Sequence, residues 1–199
     1  MNWQAFFDAC LAAVALWTAF HRTAERPAVR LGCVLIGLAA VLGTLRFSGL
    51  LPLPPLHQVM SMLGAAVGLP LLAIAVIAPA SAVATQTRYA RIFAVSAGVL
   101  CMLIVVVAGI KLWASAWALL AVLTMAVAAA WTRRWNLLAA AACMLAALLA
   151  FAAGVTASAL GPGDFLHIGL AAGVGLYGYA LGGANLNYAE QNRVSNSDL

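Results

Sequence analysis

Seven apolar stretches, each long enough to cross a bilayer and joined by short turns, leave this chain few folds to choose from. They fall at roughly residues 4–20, 31–47, 57–79, 91–110, 112–131, 136–158 and 165–183. A bilayer core about 30 Å thick needs about 20 apolar residues in a helix that rises 1.5 Å per residue. Backbone polar groups find no water there, so each stretch must satisfy its own N–H and C=O groups as a helix. The composition agrees: 66% of the 199 residues are hydrophobic and 8% are charged, where a soluble domain has about 25% charged residues. The expectation is an all-α integral membrane bundle of seven transmembrane helices over residues 1–184, followed by a polar cytoplasmic tail at 185–199 that lacks periodicity. Lys111 lies between the fourth and fifth runs, which leaves open a single broken hairpin at that point.

Charge supplies a direction. Arg22, Arg26, Arg30, Arg88, Arg91, Arg133, Arg134 and Arg193 fall on one side of the alternating spans, against Arg46 and Lys111 on the other. Cytoplasmic loops carry the excess of Lys and Arg, so the N-terminus is expected outside and the C-terminus in the cytoplasm of a bacterial-type inner (plasma) membrane. Trp131 and Trp135 suit the inner interface, and Trp3, Trp113 and Trp117 the outer one. The net charge of +5 is explained by this asymmetry and does not call for nucleic acid as a partner. No cleavable signal peptide is expected, since residues 2–8 carry no positive charge. Cys10, Cys33, Cys101 and Cys143 lie in apolar runs without ligand spacing and read as small buried hydrophobes. Gly64xxxGly68 and Gly169xxxGly173 point to close helix packing, because small residues let backbones approach in lipid.

Ionisable groups collect on the expected outer side: Asp8 on the first span, Arg46 on the second, His57 on the third, and Asp164 with His167 on the seventh. Such groups face the bundle interior and find partners there. Asp8 with Arg46, and Asp164 with Lys111 or His167, are the expected pairs. His57 and Ser61 stand four apart on one helical face, as do Asp164 and His167 at a spacing of three. Each residue also has a plain structural use. Asp164, after Gly161-Pro162-Gly163, can cap a helix N-terminus. His57 can sit at the water interface, Arg46 can snorkel outward, and Ser61 can pack. His21, beside an arginine cluster, reads as a solvated loop residue.

Two imidazoles and a carboxylate are the donor set of a catalytic zinc site with one position left for water. His57, His167 and Asp8 would be the ligands. The metal would lower the pKa of the bound water to about 7, Ser61 would donate to an oxyanion, and Asp164 would stand by as a catalytic carboxylate. These residues give the chain a resemblance to the CREST superfamily of seven-helix membrane hydrolases, which includes alkaline ceramidases and adiponectin-type receptors. The features that carry it are His57 and Ser61 in LHQVMSMLG, Asp164 and His167 in GDFLHIGL, the seven spans, and a ligand candidate on the last helix. The resemblance implies a membrane-embedded zinc site and hydrolysis of a lipid-like amide or ester. Ala171 stands where the family has a second histidine on the last helix, which leaves Asp8 or Asp164 to complete the set. Three other functions remain open on the sequence: a small-molecule transporter or channel, a b-type cytochrome with His57 and His167 as axial ligands, and a structural subunit whose polar groups only satisfy one another. A retinal protein built on Lys111 is disfavoured by that residue's place at an interfacial turn.

Overall fold

The computed structural model describes the backbone of residues 2–197 apart from residues 24, 52 and 111, and the side chains of these as far as residue 182. Seven of its helices are long and apolar enough to cross a membrane. They are α1 (Trp3–Arg22), α2 (Pro27–Phe47), α3 (Pro54–Ile77), α4 (Thr87–Val107), α5 (Trp113–Trp131), α6 (Trp135–Ala152) and α7, whose apolar part is Pro162–Gly182. The helix that contains α7 runs on to Ser197, so the polar segment from Asn185 lies within it. The side chains of that segment, Arg193 among them, are outside the described residues. A single helical turn at Ala82–Thr85 precedes α4, capped by the Ser81 side chain.

Local chemistry sets the boundaries. Asn2 caps α1 by accepting from the Gln4 N–H at 3.1 Å, and its side-chain amide donates to the Phe47 carbonyl at 2.6 Å. That pair ties the start of α1 to the end of α2. Pro27, Pro54 and Pro162 open α2, α3 and α7, where a missing N–H costs nothing. The fourth and fifth runs are two separate helices. The chain breaks between them at Gly109, whose φ of 71° an L side chain rarely adopts. The sixth span stops at Ala152 rather than near residue 158. Gly154 takes a φ of 66°, and Ala157 and Leu160 then close a small antiparallel bridge.

α3 is not a regular helix. Residues Gly64–Gly68 form a π turn, in which the Leu69 N–H donates to the Gly64 carbonyl five residues back. Pro70 follows at once. A proline inside a helix lacks its N–H and clashes with the carbonyl four residues earlier, and a wider turn just before it absorbs both faults.

Six helices close a ring in the order α1, α2, α3, α5, α6, α7, with α7 returning to α1, while α4 packs outside against α2 and α3. Burial follows this plan, at 61% of the best window for α3 and 17% for α4. Glycines set the closest approaches. A Cβ on Gly169 would lie 3.0 Å from the Cys143 carbonyl of α6, and one on Gly173 would overlap Met144. Gly68 meets Gly32 of α2 backbone to backbone, whereas Gly64 makes ordinary contact with Ile36. The middle of the ring is filled by Leu72, Met125, Leu137, Met144 and Tyr177, all buried. Tyr177 crosses it and donates its hydroxyl to the Leu72 carbonyl at 2.8 Å.

Candidate functional site

One end of the bundle carries the starts of α1, α3 and α7 and the end of α2. The polar side chains of these four helices meet there.

Asp8 sits on the buried stripe of α1 that continues through Leu11, Ala12 and Ala15, and is itself 1% exposed. An aspartate fits at this position because α2 presents Gly43 to it. A Cβ on Gly43 would run into the carboxylate. Across the ring, Oδ1 of Asp8 lies 3.3 Å from Nε2 of His167 on α7. This is ion-pair distance without the angle of a hydrogen bond. Both carboxylate oxygens of Asp8, Oδ1 of Asp164 and Nδ1 of His167 are buried with no hydrogen-bond partner among the described residues. Native interiors leave few such atoms, and a cluster of them marks a place for water or a ligand.

His57 on α3 is held differently. Its Nδ1 stands 3.2 Å from Nη1 of Arg46, and its Nε2 stands 3.4 Å from Oγ of Ser61. Phe47 packs its ring edge-on to the imidazole, 5.6 Å between centroids, and Arg46 lies over the same ring at 5.0 Å. A guanidinium can only donate, so Nδ1 of His57 accepts and the proton of the neutral ring is on Nε2. Ser61 therefore accepts from His57 and keeps its own O–H for another acceptor.

The expected pairs are rearranged by this geometry. Arg46 meets His57 instead of Asp8, because α2 and α3 meet end to start, and Asp8 meets His167. Asp164 neither pairs with His167 nor serves as the cap residue. It is 2% exposed at the third position of α7, and its Oδ2 accepts from the Gly161 N–H at 2.7 Å, which is one half of a capping box. Lys111 lies outside the described residues. His21 is at the opposite end, exposed and stacked on Trp17 at 3.7 Å.

Asp8, His57, Ser61 and His167 line one cavity of about 110 Å³, with walls from Ile36, Leu69, Leu148 and Leu170. Water occupies about 30 Å³ in the liquid, so a few waters or one small group fit. Drug-sized ligands occupy pockets of about 300–1,000 Å³, and a haem held between His57 and His167 is out of scale here. Among the described residues no three His, Cys, Asp or Glu side chains gather as a metal-ligand set. The donor roles give the reason. His57 spends both ring nitrogens on Arg46 and Ser61, and a guanidinium against the imidazole opposes a divalent cation. As placed, His57, His167 and Asp8 do not fit zinc.

Sequence reasoning missed three contributors. Gly43 is visible only as one more small residue of α2, three before Arg46. The hydrogen bond from Tyr177 joins positions 105 residues apart. The contact between Arg46 and His57 depends on how the chain turns after Phe47, which no periodicity describes.

Fold and site together define a multi-pass helical membrane protein with a small polar pocket sunk into one end of an apolar ring. No family model, curated protein or solved structure matches the chain, and its function is read from the pocket alone.

Proposed function

We propose that the protein is a membrane hydrolase of a lipid-like amide or ester, lying in a bacterial-type inner membrane with its pocket near the outer leaflet. The observation that carries this is the Asp8–His167 pair, with an unpartnered imidazole nitrogen beside a cavity of water size. The Asp8 carboxylate, at ion-pair distance from Nε2, favours the ring proton on that nitrogen, which leaves the lone pair of Nδ1 to remove a proton from water. Hydroxide then adds to the carbonyl. Ser61, whose O–H is free to donate, steadies the oxyanion. The imidazolium returns its proton to the departing alcohol or amine, and the Asp8 carboxylate balances its charge in the interval. Asp164 has no step here; it fixes the start of α7 and so the position of His167, one turn on. Only the scissile group reaches the cavity, and the acyl chain stays outside it in the lipid.

A zinc ion would supply a more acidic water, as the resemblance to the CREST hydrolases implies. The commitment of His57 to Arg46 favours the route above, and no step depends on metal. The arginine-rich opposite end supports the orientation, N-terminus outside and C-terminus in the cytoplasm. Beneath the pocket Leu72 and Tyr177 are buried, which favours a closed site over a transport path.

The test uses the purified chain in lipid nanodiscs with fluorogenic acyl esters and acyl amides of short and long chain. Turnover is expected, and His167→Ala should lower it by roughly 10²–10⁴, the usual contribution of a general base. Turnover that persists in His167→Ala, or none in the parent chain across the panel, defeats the proposal. Loss of activity with a chelator, restored by zinc, would move the chemistry to a metal.

A further inference from the structure

A second cavity lies on the outer face of the ring, and it does not involve the polar pocket. A groove of about 590 Å³ runs between α2, α3 and α4, walled by Leu31, Leu35, Leu63, Val67, Val95, Val99 and further apolar residues down to Val107. Val95, Val99 and Val107 are more than half exposed. Gly98 lines the groove where α4 comes close to α3. A Cβ there would sit 3.2 Å from the Leu63 side chain and 3.9 Å from that of Val67. From Ala94 to Val107 the groove covers roughly 20 Å at 1.5 Å per residue, somewhat more than one leaflet of a 30 Å core.

At its arginine-bearing end the groove adjoins a second hollow of about 350 Å³, lined by Phe20, Pro27, Arg30, Thr87 and Arg91, and the two share Leu31 as a wall. Arg30 is steadied over the Phe20 ring at 5.2 Å. Among the described residues, neither Arg30 nor Arg91 has a carboxylate within ion-pair distance. A wholly apolar slot one leaflet deep, ending at two guanidiniums and a hydroxyl, matches the two parts of one molecule.

We propose that this groove is a binding site for an anionic phospholipid, its phosphate held by Arg30 and Arg91 and one acyl chain laid along α4 between Leu35 and Val107. Arginine suits the phosphate because its fork donates two parallel hydrogen bonds. Paired basic residues between helices at the headgroup level are a known route to anionic lipid recognition. The lipid fills the face that α4 leaves open and joins α4 to the ring.

Native mass spectrometry of the full chain released from mixed nanodiscs tests this, with phosphatidylglycerol and phosphatidylcholine of identical chains as probes. The parent chain should retain phosphatidylglycerol about tenfold over phosphatidylcholine, given the strength of arginine–anionic lipid attraction. Equal retention overturns the proposal. The pair Arg30→Gln and Arg91→Gln should bring the ratio close to one, and a preference left intact by it overturns the assignment of the headgroup. A phosphatidylglycerol with a photoreactive acyl chain needs no variant. Its label should fall on α3 and α4 around Leu63, Val99 and Met102, and label confined to other helices is fatal. Cross-links through Val95 and Val99 to a second copy of the chain would show that a protein covers the groove, which also overturns it.

Discussion

Gly43 is the residue on which the pocket turns. Without a Cβ it lets the Asp8 carboxylate lie against α2, and with one the two atoms overlap. Gly43→Ala must therefore push α1 and α2 apart or swing Asp8 away from His167. Overpacking of this kind costs about 1–3 kcal/mol, and thermal unfolding in detergent should register a lower Tm. Hydrolysis should fall with it, since the imidazole loses its orienting partner. Wild-type Tm in Gly43→Ala would show that the region yields freely. Tyr177→Phe gives a second measure at this scale. It removes one buried hydrogen bond to Leu72, and buried hydrogen bonds in membrane bundles average about 0.6 kcal/mol. A small loss of stability with unchanged turnover is the expected result, because Tyr177 lies beneath the cavity and does not line it.

The residues of the site were legible one at a time and illegible as pairs. Asp8, His57, Ser61 and His167 stand out in the sequence because polar groups at the ends of apolar runs need a reason. Helical spacing placed His57 above Ser61 and so found one contact that the structure contains. Pairing across helices depends on rotation about each axis, and a hydropathy pattern that is apolar on every side does not define it. Hydropathy alone therefore matches Arg46 with Asp8, whereas the turn after Phe47 delivers it to His57. Helix lengths show the same division. α5 is legible to within a residue because Trp113 and Trp131 close both of its ends, while the apolar run of α6 extends past its end at Ala152 because a left-handed glycine, Gly154, carries no apolar signal.

Elements pack here through absent side chains. α6 and α7 make the most extensive contact in the bundle, and Gly169 and Gly173 sit at its centre. Lipid offers no hydrophobic force between helices, so the gain is close van der Waals contact. A branched residue at Gly169 would meet the Cys143 backbone carbonyl, which cannot rotate away as a side-chain tip can. Gly169→Val should cost more than Gly43→Ala, about 3 kcal/mol or above, and should carry His167 out of register with Asp8. Loss of both the folded monomer and activity is expected. Retention of either in Gly169→Val would mean that α7 can slide along α6. The π turn at Gly64–Gly68 bears on the site in the same way. It sits between Ser61 and Leu69, both of which line the cavity, and the extra residue it accommodates rotates the upper part of α3 relative to the lower. Pro70→Ala removes its cause, so turnover should fall through the changed aim of His57 and Ser61 with little change in Tm.

On the scale of the whole molecule, charge and polarity are separated between the two ends. The described arginines apart from Arg46 lie at the end away from the pocket, while Asp8, Asp164, His57 and His167 lie at the other. A bundle so divided has one favoured direction in a membrane that draws basic loops to the cytoplasm. The same division places the two cavities at opposite ends: the catalytic candidate at the end that carries Arg46, and the mouth of the lipid groove, at Arg30 and Arg91, at the arginine-rich end. Orientation can be measured on a chain whose Cys10, Cys33, Cys101 and Cys143 are replaced by alanine, with one new cysteine at a time. Leu50→Cys, in the turn between α2 and α3, should react with an impermeant maleimide in intact spheroplasts. Thr132→Cys, in the turn between α5 and α6, should react only after the membrane is opened. The reverse pattern would put the pocket in the cytoplasmic leaflet and the arginines outside. A lipid-like substrate would then have to enter from the inner leaflet, and the anionic lipid proposed for the groove would have to come from the outer one.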